Sequence, residues 1–303
     1  MLRLIGVVAS TMSLLMPNPV LADDTLEPVI LSPAGPWQLD MATNKCRLAR
    51  LFDSGEQKTV FYLEQWNPGS DLLMTVAGPP FAKFRYFRDT QYTFGEAGDA
   101  GEFGFTKSTL GEYGAAINTS TTIARQEDAD DDAEARDYSD RPRGLPTIDS
   151  EGAAGIETLT FYQKKRAPVM LKLGDMQAPL AAMNMCMRDL VKDWGFDPDE
   201  QATVQTPARV TNMEHVVRRV QDAYPTDALR RGAQADFHMR LTVGADGKVE
   251  DCVLLNQTHA EGFDIRKGPY HNFMTNAEFE PARDAAGTPI RTYYTSRIVY
   301  RIG

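Results

Sequence analysis

The sequence predicts an α+β protein: a β-rich, sandwich- or barrel-like N-terminal domain that closes with one helix, then a smaller C-terminal domain. Three observations carry this reading. Between residues 46 and 173, runs of β-branched and aromatic residues alternate with Gly and Pro turns, the pattern of an antiparallel sandwich or barrel. Residues 178–194 space Leu180, Met183, Met187, Leu190, Val191 and Trp194 along one helical face,. From Ala235 to Val243 the side chains alternate, with Phe237, Met239, Leu241 and Val243 on one side and Asp236, His238, Arg240 and Thr242 on the other. A period of two predicts a strand with one buried and one open face.

At 303 residues the chain has room for two domains,. We expect a signal peptide at 1–22, a β-rich domain at 23–196, a linker with a short helix at 197–222, and the C-terminal domain at 223–303. The net charge of −10 argues against a nucleic-acid partner and against simple electrostatic binding to anionic lipid,.

Arg3 opens the chain with a positive charge, and Leu4 to Met16 is apolar but shorter than the roughly 20 residues a spanning helix needs,. Pro17 and Pro19 break that run, and Val20-Leu21-Ala22 has the form of a cleavage site,. The expectation is an exported protein with no stable membrane insertion after cleavage. An uncleaved anchor is the alternative.

Pro28, Pro33 and Pro36 suggest an extended lead-in. Strands are expected at Cys46–Phe52, Thr59–Trp66, Leu72–Val76 and Lys83–Arg88, punctuated by Asn67-Pro68-Gly69 and Gly78-Pro79-Pro80,. Residues 92–114 mix Tyr92, Phe94, Phe103, Phe105 and Tyr113 with glycines. They form either a binding loop with aromatic platforms or hairpins whose rings pack down, and the second is favoured. Ile117–Ala124 reads as a strand. Gln126–Asp140 is strongly acidic but lacks the glycine and ligand order of a calcium loop, so it reads as a solvated segment,. Strands resume at Ile156–Tyr162 and Val169–Leu173. Met183, Met185 and Met187 diverge on a helix, which favours packing over a soft-metal site.

Three cysteines occur, none in a C-x-x-C arrangement,. Cys46 and Cys186 fall in the same expected domain and are the favoured disulfide pair. Cys252 is then left over, buried and free, with disulfide dimerisation as the alternative. No hydrolase elbow, zinc motif, phosphate loop or dinucleotide fingerprint appears, and His215, His238, His259 and His271 are scattered,. The alternation puts His238 on the open face of its strand. We expect no enzyme, catalytic residue, metal or cofactor.

The last seventy residues or so carry the most pattern. A strand meets Gly244-Ala245-Asp246-Gly247, a hairpin signal. Val249–Leu255 forms its return strand. A helical stretch within Phe263–Phe273, the phrase "FEPARDAAGTPI" and a final strand from Tyr293 to Ile302 follow. The hairpin "FHMRLTVGADGKVEDCVLLNQT", that phrase and the closing "YYTSRIVYRI" resemble, in order, the C-terminal domain of TonB and TonB-like proteins. The matching positions are Asp246, Gly247, Val249, Phe279, Pro281, Ala282, Gly287, Pro289 and Ile290, with Tyr224, Pro225 and Gly232 before the first strand. The resemblance spans about a quarter of the chain.

That resemblance implies a three-stranded antiparallel sheet packed on helix, in the periplasm of a Gram-negative envelope. It also implies recognition through a sheet edge, the last strand with Tyr294, Ser296, Ile298 and Tyr300 being the partner-binding candidate. In TonB the edge takes up an extended segment of an outer-membrane receptor. Many similar domains carry a second cysteine in the helix that can pair with the one in the second strand; Phe263–Phe273 has none. The long Pro-rich spacer of TonB has no counterpart either. The expected function is therefore that of an exported, non-enzymatic protein-binding protein, its partner an envelope or outer-membrane protein or a second copy. The alternatives are an anchored TonB-type energy transducer for outer-membrane transport and an envelope-structural, peptidoglycan-contacting protein.

Overall fold

The computed structural model of the chain describes residues 26–84, 90–95, 105–123, 144–232, 235–259 and 268–300. The protein is α+β and strand-rich, with several sheets. The expected signal peptide, the acidic run 126–140 and most of the strand expected at Lys83–Arg88 lie outside the described residues.

The N-terminal half contains β1 (Val29–Leu31), β2 (Gln38–Ala42), β3 (Lys45–Ser54), β4 (Gln57–Gln65), β5 (Leu72–Ala77), β6 (Thr90–Phe94), β7 (Thr106–Leu110), β8 (Gly114–Thr121), β9 (Thr158–Gln163) and β10 (Val169–Lys172). Six of these form an antiparallel sheet in the order β2-β3-β4-β5-β8-β7. The other four form a second sheet, β1-β10-β9-β6, in which β1 runs parallel to β10. Alternation in the strands decides which side chains go inward. Leu48 and Phe52 of β3, Phe61 and Leu63 of β4, Leu159 and Phe161 of β9 and Leu171 of β10 are all buried in one core,. At Pro79–Lys83 the chain makes a 3-10 turn, in keeping with the Gly78-Pro79-Pro80 stop, because two prolines remove consecutive ladder donors,.

Helix α1 (Gln177–Asp193) closes this core with Leu180, Met183, Cys186, Met187 and Leu190. Met185 points the other way and is 64% exposed. Cys46 on β3 and Cys186 on α1 form a disulfide, with Cα atoms 6.2 Å apart. Cys252 is free and buried.

The C-terminal half contains α2 (Pro198–Ala202), β11 (Arg209–Val210), α3 (Met213–Asp222), α4 (Thr226–Arg230), β12 (Ala235–Val243), β13 (Val249–His259), α5 (Pro269–Asn276), β14 (Phe279–Glu280), β15 (Ala282–Arg283), β16 (Pro289–Ile290) and β17 (Thr292–Tyr300). β12 is the centre of a three-stranded antiparallel sheet, β13-β12-β17. Its inward residues Phe237, Met239, Leu241 and Val243 share a second core with Val216 and Val220 of α3, Phe273 of α5, and Tyr294 and Tyr300 of β17.

Two expectations need correction. Residues 204–222 do more than link the halves. Val204, Ala208 and Val210 are buried in the second core, and β11 pairs with β14. The face of β12 expected to be open is covered as well: Arg240 and Thr242 are only 7% and 8% exposed. Trp194, just past α1, lies over Arg240, and Trp66, just past β4, lies against His238.

Candidate functional site

β17 pairs with β12 along Thr292–Tyr300, and it has no other strand neighbour among the described residues. Its outer backbone edge is therefore the sheet's last row of N–H and C=O groups on that side. Tyr294, Ser296, Ile298 and Tyr300 occupy the core-facing side of this strand. Tyr294 and Tyr300 are buried, against Phe279 at 4.9 Å and Tyr224 at 4.8 Å. The Tyr300 hydroxyl donates to the Val220 carbonyl at 2.7 Å. Burial raises its pKa to about 12, and neighbouring Tyr224 adds to the shift. What β17 offers a partner is thus its backbone more than these two side chains.

The start of β17 is held by the segment that leaves α1. Gln201, 1% exposed, donates from Nε2 to the Arg291 carbonyl at 2.9 Å, and its Oε1 accepts from the Thr292 hydroxyl at 2.6 Å. Arg291 pairs with Glu250 at 2.7 Å and lies over Phe196 at 4.8 Å. Tyr293 meets Trp194 and Phe196 edge-on, each at 5.7 Å. Burial pushes the Tyr293 phenol well above its ordinary pKa.

Beside these contacts lies a narrow cleft of about 90 Å³. Thr292, Tyr293, Tyr294 and Thr295 form one wall, and Asn67-Pro68, Pro146 and Gln201 stand among the residues facing them. A larger depression of about 230 Å³ adjoins it, sharing Pro68 and Pro146 and adding Leu145, Met185 and Met187.

Arg240 sits on the covered face of β12, where its cross-strand neighbour on β17 is Thr295. Its guanidinium carbon lies 3.9 Å from the centroid of the Trp194 ring. Burial lowers its pKa to about 10, and the charge of Asp251 partly opposes that shift. His238, expected on an open face, instead lies against Trp66, ring centroids 6.4 Å apart.

The matching positions of the hairpin and of the "FEPA" phrase come together in space. Gly247 has φ +78°, and a Cβ there would fall 2.4 Å from the Phe279 carbonyl oxygen and 3.6 Å from Pro281 Cδ. Asp246 accepts the Lys248 backbone N–H at 3.0 Å and forms an ion pair with the Lys248 ammonium. Ala282 is fully buried and pairs with Ile290, and Pro289 stands across from Arg283. Gly287 also has positive φ, at +82°, but open space around it. Val249 packs at the margin of the second core.

Tyr92 and Phe94 on β6 pack against the first core, and Phe105 is buried in it. These rings form no open aromatic platform. Cys252 is buried, and burial with nearby Asp251 raises its pKa to about 12. Among the described residues no group of three or more His, Cys, Asp or Glu side chains could hold a metal ion. Among the same residues no helix is long and apolar enough to cross a membrane.

The sequence reading missed Gln201, Trp194 and Arg240 as members of this site. The available signal was Trp194-Gly195-Phe196, a second aromatic residue placed just past the helix stop that follows Trp194. Set against known proteins, the chain matches no family model and no curated protein.

Proposed function

We propose that the chain is an exported, non-enzymatic protein-binding protein whose C-terminal region is a TonB-like domain. Its sheet takes up an extended segment of an envelope or outer-membrane protein along the outer edge of β17. The observation that carries this is the single-sided pairing of β17, which leaves one row of backbone groups without a strand among the described residues. Strand addition draws affinity from such a row. The hairpin turn seated on the "FEPA" phrase supports the resemblance, since two of its separate pieces meet there. The Cys46–Cys186 pairing supports export, because disulfides persist in oxidising compartments,.

Neighbouring residues of a strand direct their N–H groups to opposite sides. Of Thr295→Pro and Ser296→Pro, one therefore breaks the β12 ladder and the other removes a donor from the outer edge. Circular dichroism identifies the variant that stays folded. In a pull-down from envelope extract, that variant loses the partner held by the parent protein. Undiminished capture by the folded variant contradicts the reading.

A further inference from the structure

Two buried hydrogen-bond donors with no acceptor among the described residues belong to side chains that stack on one another between the two halves. They are Arg240 Nη1 and Trp194 Nε1. The Arg240 residue is 7% exposed, and its guanidinium is stacked on the Trp194 ring at 3.9 Å. A buried donor left without an acceptor carries the full cost of its lost hydration, and more when it is charged. Here two such donors sit on stacked side chains, one of them a cation, so the missing chemistry is that of an anionic acceptor with two oxygens.

The surroundings limit its size. Arg240 and Trp194 do not themselves line the cleft at the start of β17, but Tyr293, the ring partner of Trp194, and Thr295, the cross-strand neighbour of Arg240, both do. That cleft holds about 90 Å³, far below the roughly 300–1,000 Å³ of sites for drug-sized ligands. It has room for a small group entering from β17, and Asn67, Gln201, Thr292 and Thr295 give it polar walls. The chain's net charge of −10 disfavours polyanions,. Asp251 is the acidic group whose charge acts on Arg240.

We propose that Arg240 and Trp194 form a carboxylate-binding site, their two N–H groups taking the two oxygens of one carboxylate on the segment that pairs with β17. The source of that carboxylate rests on the edge-recognition reading; the site itself does not. Either an acidic side chain or a free chain terminus would supply the group.

The test follows the Trp194 indole N–H in the nuclear magnetic resonance spectrum of the full chain, identified by its loss in Trp194→Phe. Sodium acetate shifts this resonance saturably, and sodium chloride at equal ionic strength does not. In Arg240→Gln the apparent acetate affinity falls by roughly tenfold or more. Arg240→Lys keeps the charge but not the planar fork, and recovers only part of the response. Two short peptides then separate the sources, one with an internal Glu and an amidated end, the other with no acidic residue and a free C-terminus. A response to either supports the site and names the source. No acetate response, an equal response to chloride, an unchanged response in Arg240→Gln, or silence with both peptides overturns the proposal. Loss of edge pairing alone would leave the acetate response intact, so the two readings fail separately.

Discussion

Tyr300 illustrates how one side chain ties the candidate edge to the second core. Its phenol is buried and donates to the Val220 carbonyl. An unfolded tyrosine titrates near 10, whereas here the value is raised to about 12. Between those values the unfolded chain loses the proton while the folded chain keeps it. This contribution is therefore complete below about pH 10 and is lost as pH rises toward 12. Tyr300→Phe is expected to flatten the fall in stability over that window, and to cost about 1 kcal/mol at neutral pH through the lost hydrogen bond. Urea unfolding at pH 7 and through the alkaline range checks both parts. Gly247 makes the complementary point for backbone. Its positive φ and the 2.4 Å approach of a Cβ to the Phe279 carbonyl both exclude a side chain. Gly247→Ala is expected to destabilise by about 1–3 kcal/mol, read as a lower denaturation midpoint.

At the scale of elements, α1 joins the two halves physically. One face fills the first core, and its Cys186 is bonded to Cys46 on β3 across a separation of 140 residues. Cross-linking a loop that long removes chain entropy on the order of 4 kcal/mol. The double variant Cys46→Ser and Cys186→Ser is expected to lose stability on that scale in denaturant titration, and the parent protein to lose a similar amount on reduction.

The elements legible in the sequence were those with a strong period. They included β3, β4 and β5 with their aromatic and β-branched runs, β8, β9 and β10, α1 with its apolar stripe, the hairpin β12–β13 and the last strand, β17. Those missed were short or polar. β2 reads Gln-Leu-Asp-Met-Ala and is exposed nearly throughout, so burial leaves no alternation to detect. β1 spans three residues inside a proline-rich stretch and is placed by its parallel pairing with distant β10. The covered face of β12 was misread for a related reason. Arg240 and His238 look solvated in a pattern of two, and the approach of Trp194 to the one and Trp66 to the other comes from another half.

Across the whole molecule, the sheet that carries the candidate edge is docked on the first half by aromatic and hydrogen-bonded contacts at the start of β17. Trp194 is central to them through Tyr293 and Arg240. Trp194→Ala is expected to cost about 3–5 kcal/mol and to split one calorimetric unfolding transition into two, since it removes packing that couples the cores. A single transition in the variant would mean that other contacts suffice. The edge itself was anticipated by resemblance, but its setting was not. One end of β17 faces a narrow cleft instead of open solvent, which restricts how a partner strand can lie along it.

Amide hydrogen exchange of β17, measured with and without the captured envelope partner, tests the central claim most directly. Amides directed toward β12 are expected to be protected in both states. Those directed outward exchange readily in the protein alone and become protected on binding, giving an alternating pattern along Thr292–Tyr300. Binding that leaves the outward amides of β17 unprotected would contradict recognition through this edge.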